Sequence, residues 1–336
     1  MRQQHISRRK AMGVVAAMAA STLMLGACSF QDARPSADGL DIVKVATVGL
    51  TSDGALITGM DKGFFAEEGI EVRTSLVKDP PAGLAAAQSG QVDVAYSPSI
   101  SILMALSRKM PIGVIAGADG FSPAETVAAQ PEEFDDTALL SAPGSGIESV
   151  EQLEGKTISV PARKAQLEVN IAAGLADAGV SPDSINWVVL DFTSAVAALR
   201  QGQIDAAGVV SPFTAMAEAD GATHLLAPSY AFFGPSAVGM WTVGDKTYAE
   251  DPELMQRFKR AMERSNAYAN DHPEEVTQAG LEFTKSGLAL DQVARPYWPE
   301  EVSEEDLEPV NGKLVDLEIL STPVDLRDVV KMGAAQ

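Results

Sequence analysis

The chain has 336 residues, 46% of them hydrophobic, with 25 Lys and Arg against 46 Asp and Glu, for a formal net charge of −21. That length is more than one small domain needs and suits two, with enough apolar residues for a sizeable core. The acidity excludes nucleic-acid binding, because phosphate contacts require a basic face, and the single cysteine excludes a disulfide framework or a thiolate metal site.

At the N-terminus, Arg2, Arg8, Arg9 and Lys10 precede the apolar run Ala11–Leu25, after which comes Leu25-Gly26-Ala27-Cys28. The run is shorter than the roughly 20 residues of a membrane span. Basic, then apolar, then small residues is the order of a secretory signal peptide. Leu-Gly-Ala-Cys resembles a bacterial lipobox, which implies a signal peptide over 1–27, a lipid on Cys28 and a polar tether over 28–40. Ser7-Arg8-Arg9-Lys10 fits a twin-arginine export signal or an ordinary Sec signal, and both readings stand. Without residues 1–27 the net charge is nearer −25.

Asp41–Val48 turns from alternating to fully apolar, as a central first strand does. The loop Gly49–Gly54 carries Thr51, Ser52 and Asp53, and the helix after it sets Leu56, Met60 and Phe64 on one face. Ile70–Val77 is the second predicted strand. A helix opens at Asp79-Pro80-Pro81 and stops at Gly90, and Val92–Tyr96 is the third strand. Ser97-Pro98-Ser99 caps a helix to about Lys109, as a polar start with proline in the first turn predicts. Such a cap equally offers free N–H donors to a ligand. Ile112–Ala116 is a buried strand, and Thr137–Ala142 is an extended crossing into a second lobe. There a short helix over Ile147–Leu153 precedes strand Thr157–Val160. Pro161-Ala-Arg163-Lys164-Ala-Gln166 opens a helix to Ala178, where two cations oppose the helix dipole. Arg163 is either a solvated cation or a fork for an anionic group. Trp187–Leu190 is a strand, Thr193–Gln201 a helix, and Val238–Val243 a strand returning to the first lobe. Helices over Pro252–Asp271, Pro273–Thr284 and Asp306–Leu320 form a cap, with Tyr297 and Trp298 packing between them.

One sentence is written twice. Gly90-Gln-Val-Asp-Val-Ala95 and Gly202-Gln-Ile-Asp-Ala-Ala207 each run on into Ser-Pro, and Val48 and Val160 each stand 42 residues upstream. Each copy reads strand, helix, strand, helix, strand, the grammar of a small parallel α/β unit. Two related lobes imply a cleft. The expected division is 41–140 with 236–336 for the first lobe and 141–235 for the second.

Lys62-Gly-Phe-Phe-Ala-Glu-Glu-Gly-Ile-Glu-Val72, Gly90–Ala95, Leu153–Val160 and Leu199–Ala206, in this order, resemble segments of the solute-binding proteins of ABC importers for nitrate, sulfonates and taurine. That group also includes receptors for thiamine pyrimidine precursors. The resemblance covers about 41–285. It implies a two-lobed α/β fold of the type II periplasmic-binding-protein kind, each lobe a mostly parallel sheet flanked by helices, with two hinge strands. A small solute would sit at the carboxyl ends of the strands, and an ABC permease would be the partner of a monomer tethered to the outer face of the cytoplasmic membrane. Carried over by position, the ligand residues are Thr51, Ser52, Asp53, Ser97, Ser99, Asp119, Arg163, Lys164, Gln166, Ser211, Phe213 and Thr214. Ala-Arg-Lys after Val160 departs from the Gly, Ser or Thr frequent in relatives, and Ser211-Pro-Phe lacks the Glu-Pro or Trp of several branches. If Arg163 faces the cleft, a sulfonate, nitrate or carboxylate is expected; if it faces solvent, a neutral heteroaromatic stacked on Phe213 or Phe232 is as well favoured. No Ser-His-Asp, metal or phosphate-loop pattern appears, and His224 and His272 read as structural, so no catalysis and no cofactor are expected.

Overall fold

A computed structural model describes residues 39–331 apart from 125, 126, 128 and 130–132. The expected signal peptide, the expected lipidation site Cys28 and nearly all of the expected tether lie outside the described residues. Two five-stranded sheets organise the rest. The first contains β1 (Asp41–Thr47), β2 (Ile70–Leu76), β3 (Val94–Pro98), β4 (Ile112–Gly120) and β10 (Ala237–Gly244), in the order β2-β1-β3-β10-β4. The second contains β5 (Thr137–Ser141), β6 (Thr157–Val160), β7 (Asn186–Val189), β8 (Ala206–Val210) and β9 (Thr223–Leu226), in the order β7-β6-β8-β5-β9. The two orders are the same pattern. Three parallel strands come first, then one antiparallel strand, then an edge. The antiparallel member is in each case the strand reached by crossing from the other sheet.

The repeated sentence has a physical reason. Gly90 and Gly202 end their helices in the left-handed region, at φ 74° and 65°, which an L side chain adopts only with strain. Three residues on, the Asp93 carboxylate accepts from the Lys44 N–H at 2.7 Å and the Asp205 carboxylate from the Thr157 N–H at 2.8 Å. Each Asp thereby pins the first strand of its own lobe to the third. The duplicated Gly and Asp do not face the cleft; they set strand register.

Helices cover both sheets: α1 (Gly54–Asp61), α2 (Phe64–Glu67), α3 (Pro80–Ser89) and α4 (Ser99–Ser107) on the first, α5 (Gln166–Asp177), α6 (Phe192–Arg200), α7 (Phe213–Ala219) and α8 (Pro228–Phe233) on the second. The face of Leu56, Met60 and Phe64 is not one continuous helix. Gly63, at φ 81°, breaks it in two. The carboxy-terminal part adds α9 (Asp245–Glu250), α10 (Pro252–Asp271), α11 (Pro273–Thr284) and α12 (Glu308–Asp316), the last shorter than its predicted span. Helix α10 buries Met255, Phe258, Ala261, Met262 and Ala269, apolar positions spaced three to four apart as an amphipathic helix requires. Its polar side is tied to the first strands, with Arg257 on Asp41 at 2.6 Å and Arg260 on Glu68 at 2.7 Å.

Three segments differ from expectation. Thr223–Leu226 is a strand on β5, concealed because all four residues keep some solvent exposure and the apolar alternation of a half-buried strand is missing. The predicted helix over Ile147–Leu153 is a 3₁₀ turn confined to Val150–Leu153. Helix α5 starts at Gln166, so Arg163 and Lys164 lie in the preceding loop, and Lys164 takes a left-handed φ of 55°.

Candidate functional site

The carboxyl ends of β1, β3, β6 and β8 face one another across a cleft. Its apolar side is formed by Val48, Leu50, Pro98 and Leu167 with Phe192 and Val210. Its polar side is formed by Asp119, Asp136 and Tyr297 with Phe121, Phe134 and Ser229. Tyr96, Thr137, Gln166 and Val210 line both sides.

The loop after β1 is positioned by packing from outside. Gly280 of α11 lies so close to Thr51 that a Cβ there would meet the Thr51 backbone, and Gly54 abuts the Val276 carbonyl in the same way. Trp298, fully buried, donates its indole N–H to the Ser52 carbonyl at 2.8 Å. The Ser52 hydroxyl, thus oriented, donates to Asp119 at 2.9 Å. Asp119 also accepts from the Tyr96 hydroxyl and the Gly239 N–H. Gly239 has to be glycine because a Cβ would run into both Asp119 and Tyr96. Thr51 reaches across the cleft: its hydroxyl is 2.9 Å from that of Ser211, and its N–H donates to the Ser211 carbonyl at 3.3 Å. The lobes therefore touch directly.

The electrostatics are one-sided. Burial pushes Asp53 up to about 7, against hydrogen bonds from the Leu50 N–H and the Thr47 hydroxyl that favour the ionised form. Asp119 is raised for the same cause, outweighing its three donors. Asp136 is raised well above the usual carboxylate range by burial and then by the neighbouring Asp119 and Asp135. Burial also raises Asp135, although Thr137, Ser229 and Tyr230 donate to it. Tyr96 is pushed up by burial and by Asp119 and Asp136. Carboxylates crowded in low dielectric hold their protons unless a cation joins them.

Of the twelve expected ligand residues, Asp119 and Gln166 line the cleft, while Thr51, Ser52, Asp53 and Ser211 are buried at its rim or support its walls. The others lie elsewhere. Arg163 grips Glu168 with two bonds, 2.6 and 3.1 Å, and its side chain is 48% exposed. Lys164 is exposed and donates its backbone N–H to the same carboxylate. Ser97 and Ser99 are fully buried, Ser97 bonded to the Tyr96 carbonyl. Phe213 stacks on Phe192, 5.2 Å between centroids, in an outer groove with Leu76 and Met216. Thr214 follows it on α7 and lines neither part of the cleft. Phe232, the other expected stacking residue, is buried against Phe233. Tyr96, Asp136, Thr137 and Tyr297 were not expected. Tyr96 stands directly before Ser97 and three places before Ser99, the serines that drew notice, and its aromatic ring in a strand of small residues was the available clue. Tyr297 had none, because it comes from a loop far along the chain that reaches Gly120 only in the fold.

Over 244 residues, 71% of each chain, the sequence is 26% identical to a protein of Brucella abortus (strain 2308). It is 24% identical over 276 residues to the taurine-binding periplasmic protein of Escherichia coli (strain K12), covering 79% of this chain and 82% of that one. The fold superposes with a TM-score of 0.68 on the alkanesulfonate-binding protein SsuA of Xanthomonas axonopodis pv. citri, at 14% identity, over 86% of this chain and 97% of the other. A two-lobed arrangement of parallel α/β sheets around a cleft, as expected from the duplicated sentence, is the fold these share. The NMT1/THI5-like family model matches residues 51–276, and the chain belongs to that family.

Proposed function

We propose that the chain is the solute-binding component of an ABC-type importer, exported, held at the membrane by lipid on Cys28, and closing on one small organic molecule for delivery to a permease. The observation that carries this reading is the cleft itself. It is buried between two sheets, and it holds polar atoms with no partner, the Gln166 Oε1 and the Ser101 Oγ. Buried polar groups are nearly always bonded, so these are sockets for a guest rather than defects of packing. The names of the taurine-binding and alkanesulfonate-binding relatives support a transport role. A binding role rather than an enzymatic one is supported by the relatives' names, which are those of binding proteins.

A sulfonate or nitrate was the first expectation, and it depended on Arg163. With that guanidinium engaged by Glu168 outside the cleft, an anion would enter a space lined by Asp119 and Asp136 and would find no cationic side chain among the lining residues. Differential scanning fluorimetry of the purified chain against sulfonates, taurine, nitrate, pyrimidines and amines tests the receptor reading. A thermal shift with at least one solute is expected, growing with its concentration as RT ln(1 + [L]/Kd). No shift across a broad panel, together with no solute carried through purification, would overturn it.

A further inference from the structure

Among the described residues, no Lys, Arg or His lines either part of the cleft. Asp136, at the crossing from the first sheet to the second, lines the polar side. Its carboxylate has no hydrogen-bonded side chain among the described residues, and the charged groups that act on it are Asp119 and Asp135, both acidic. Asp53 and Tyr96, the remaining titratable groups around Asp119, add no cation. Gln166 supplies the independent observation. It is 8% exposed, it reaches both parts of the cleft, and its Oε1 is unpartnered. The Tyr96 hydroxyl already donates to Asp119. The guanidinium of the exposed Arg295 lies 5.9 Å from the Phe134 ring centroid, and Arg295 is outside the lining. Aromatic rings of Tyr96, Phe121, Phe134 and Tyr297 form the rest of this side, and ring faces attract cations most where water is excluded.

We propose that the cleft selects an organic cation, a protonated amine or amidinium, whose N–H groups bond the Asp136 carboxylate and the Gln166 Oε1 while its apolar body lies against Tyr96, Phe121 and Tyr297. This rests on the solute-receptor reading and gives it a substrate class. A cation supplies the missing counter-charge to a half-buried carboxylate, a bond worth about twice a neutral one. A sulfonate would instead add like charge beside Asp119 and Asp136.

Isothermal titration of the chain with benzamidinium, phenethylammonium and spermidine, against benzamide, benzenesulfonate and taurine, tests the proposal. Binding of at least one cation and of neither benzenesulfonate nor taurine is expected. D136N should weaken the cation about 30-fold or more, the usual consequence of removing one partner of a buried charge pair, with circular dichroism checking its fold. In the unaltered protein the cation should bind more tightly as pH rises above the ordinary carboxylate range, because it replaces a proton on Asp136, which burial holds on, while keeping its own. Binding of a neutral or anionic probe that D136N leaves intact, or a neutral or anionic solute identified by native mass spectrometry of the purified protein, would overturn the cation while leaving the receptor standing. No binding of any probe, with no solute found by mass spectrometry, would remove both.

Discussion

Asp53 shows how a single side chain can serve a site without touching its guest. It is 2% exposed and takes hydrogen bonds from Thr47 and from the Leu50 N–H, which fixes the turn that carries Thr51 and Ser52. Its ionisation at about 7, against about 4 in an unfolded chain, has a consequence for stability. Between those values the native state holds a proton that the unfolded state has released, so the contribution to stability is full below about pH 4 and is lost as pH rises through about 7. Asp119, Asp135 and Asp136 are shifted the same way. The protein should therefore melt at a lower temperature at pH 8 than at pH 5, and Asp53→Asn should flatten that slope whatever it does to the absolute melting temperature. Calorimetry across this range checks it, and a melting temperature that rises toward pH 8 would contradict it. The same scale shows why local reasoning left Arg163 open between two readings. A cation in a loop can turn either way, and what decides here is Glu168, five residues on and only 11% exposed in its side chain, which takes two guanidinium bonds and the Lys164 N–H.

At the scale of elements, the loop after β1 is held by helices that come more than 200 residues later. Helices α1 and α11 cross with Gly54 and Gly280 at the contact, where the backbones approach too closely for any side chain. Gly280→Ala should cost about 1–3 kcal/mol, as overpacking does, because the obstacle is the Thr51 backbone and not a side chain that can turn aside. Gly312 in α12 has open space where its Cβ would go, so Gly312→Ala should be neutral or stabilise by up to about 1 kcal/mol. Urea midpoints for the two variants give the comparison, and equal effects would refute the packing argument. Much of the element order was legible in the sequence. The strands β1, β2, β3, β6 and β8 announce themselves as apolar runs closed by Gly or a polar loop, and the Gly-Gln-x-Asp-x-Ala pair marks corresponding places in two sheets of identical order. What stayed hidden depends on distance along the chain. The β9 strand is held by its partner rather than by its own pattern, and Tyr297 enters the cleft because its loop pairs with Gly120.

For the whole molecule, the proposed receptor role requires a balance between two arrangements of the lobes. Thr51 and Ser211 bridge them with a hydroxyl pair and a backbone bond. A hydrogen bond contributes about 0.5–1.5 kcal/mol net, so Thr51→Val should shift the free protein toward the open form by roughly 2- to 12-fold. Small-angle X-ray scattering would register this as a larger radius of gyration without solute, returning to the closed value when solute is added; an unchanged radius would mean that the bridge does not hold the lobes.

The interleaving of strands also fixes an order of assembly. The second sheet draws all its strands from one uninterrupted stretch, Thr137 to Leu226, whereas the first must wait for β10 to fill the gap between β3 and β4. A nascent chain leaving the ribosome can complete its later lobe while the earlier one still lacks its inner strand. The half made first is thus the half finished last, and a truncation ahead of Ala237 should leave a folded carboxy-terminal lobe trailing an unsettled, aggregation-prone amino-terminal one.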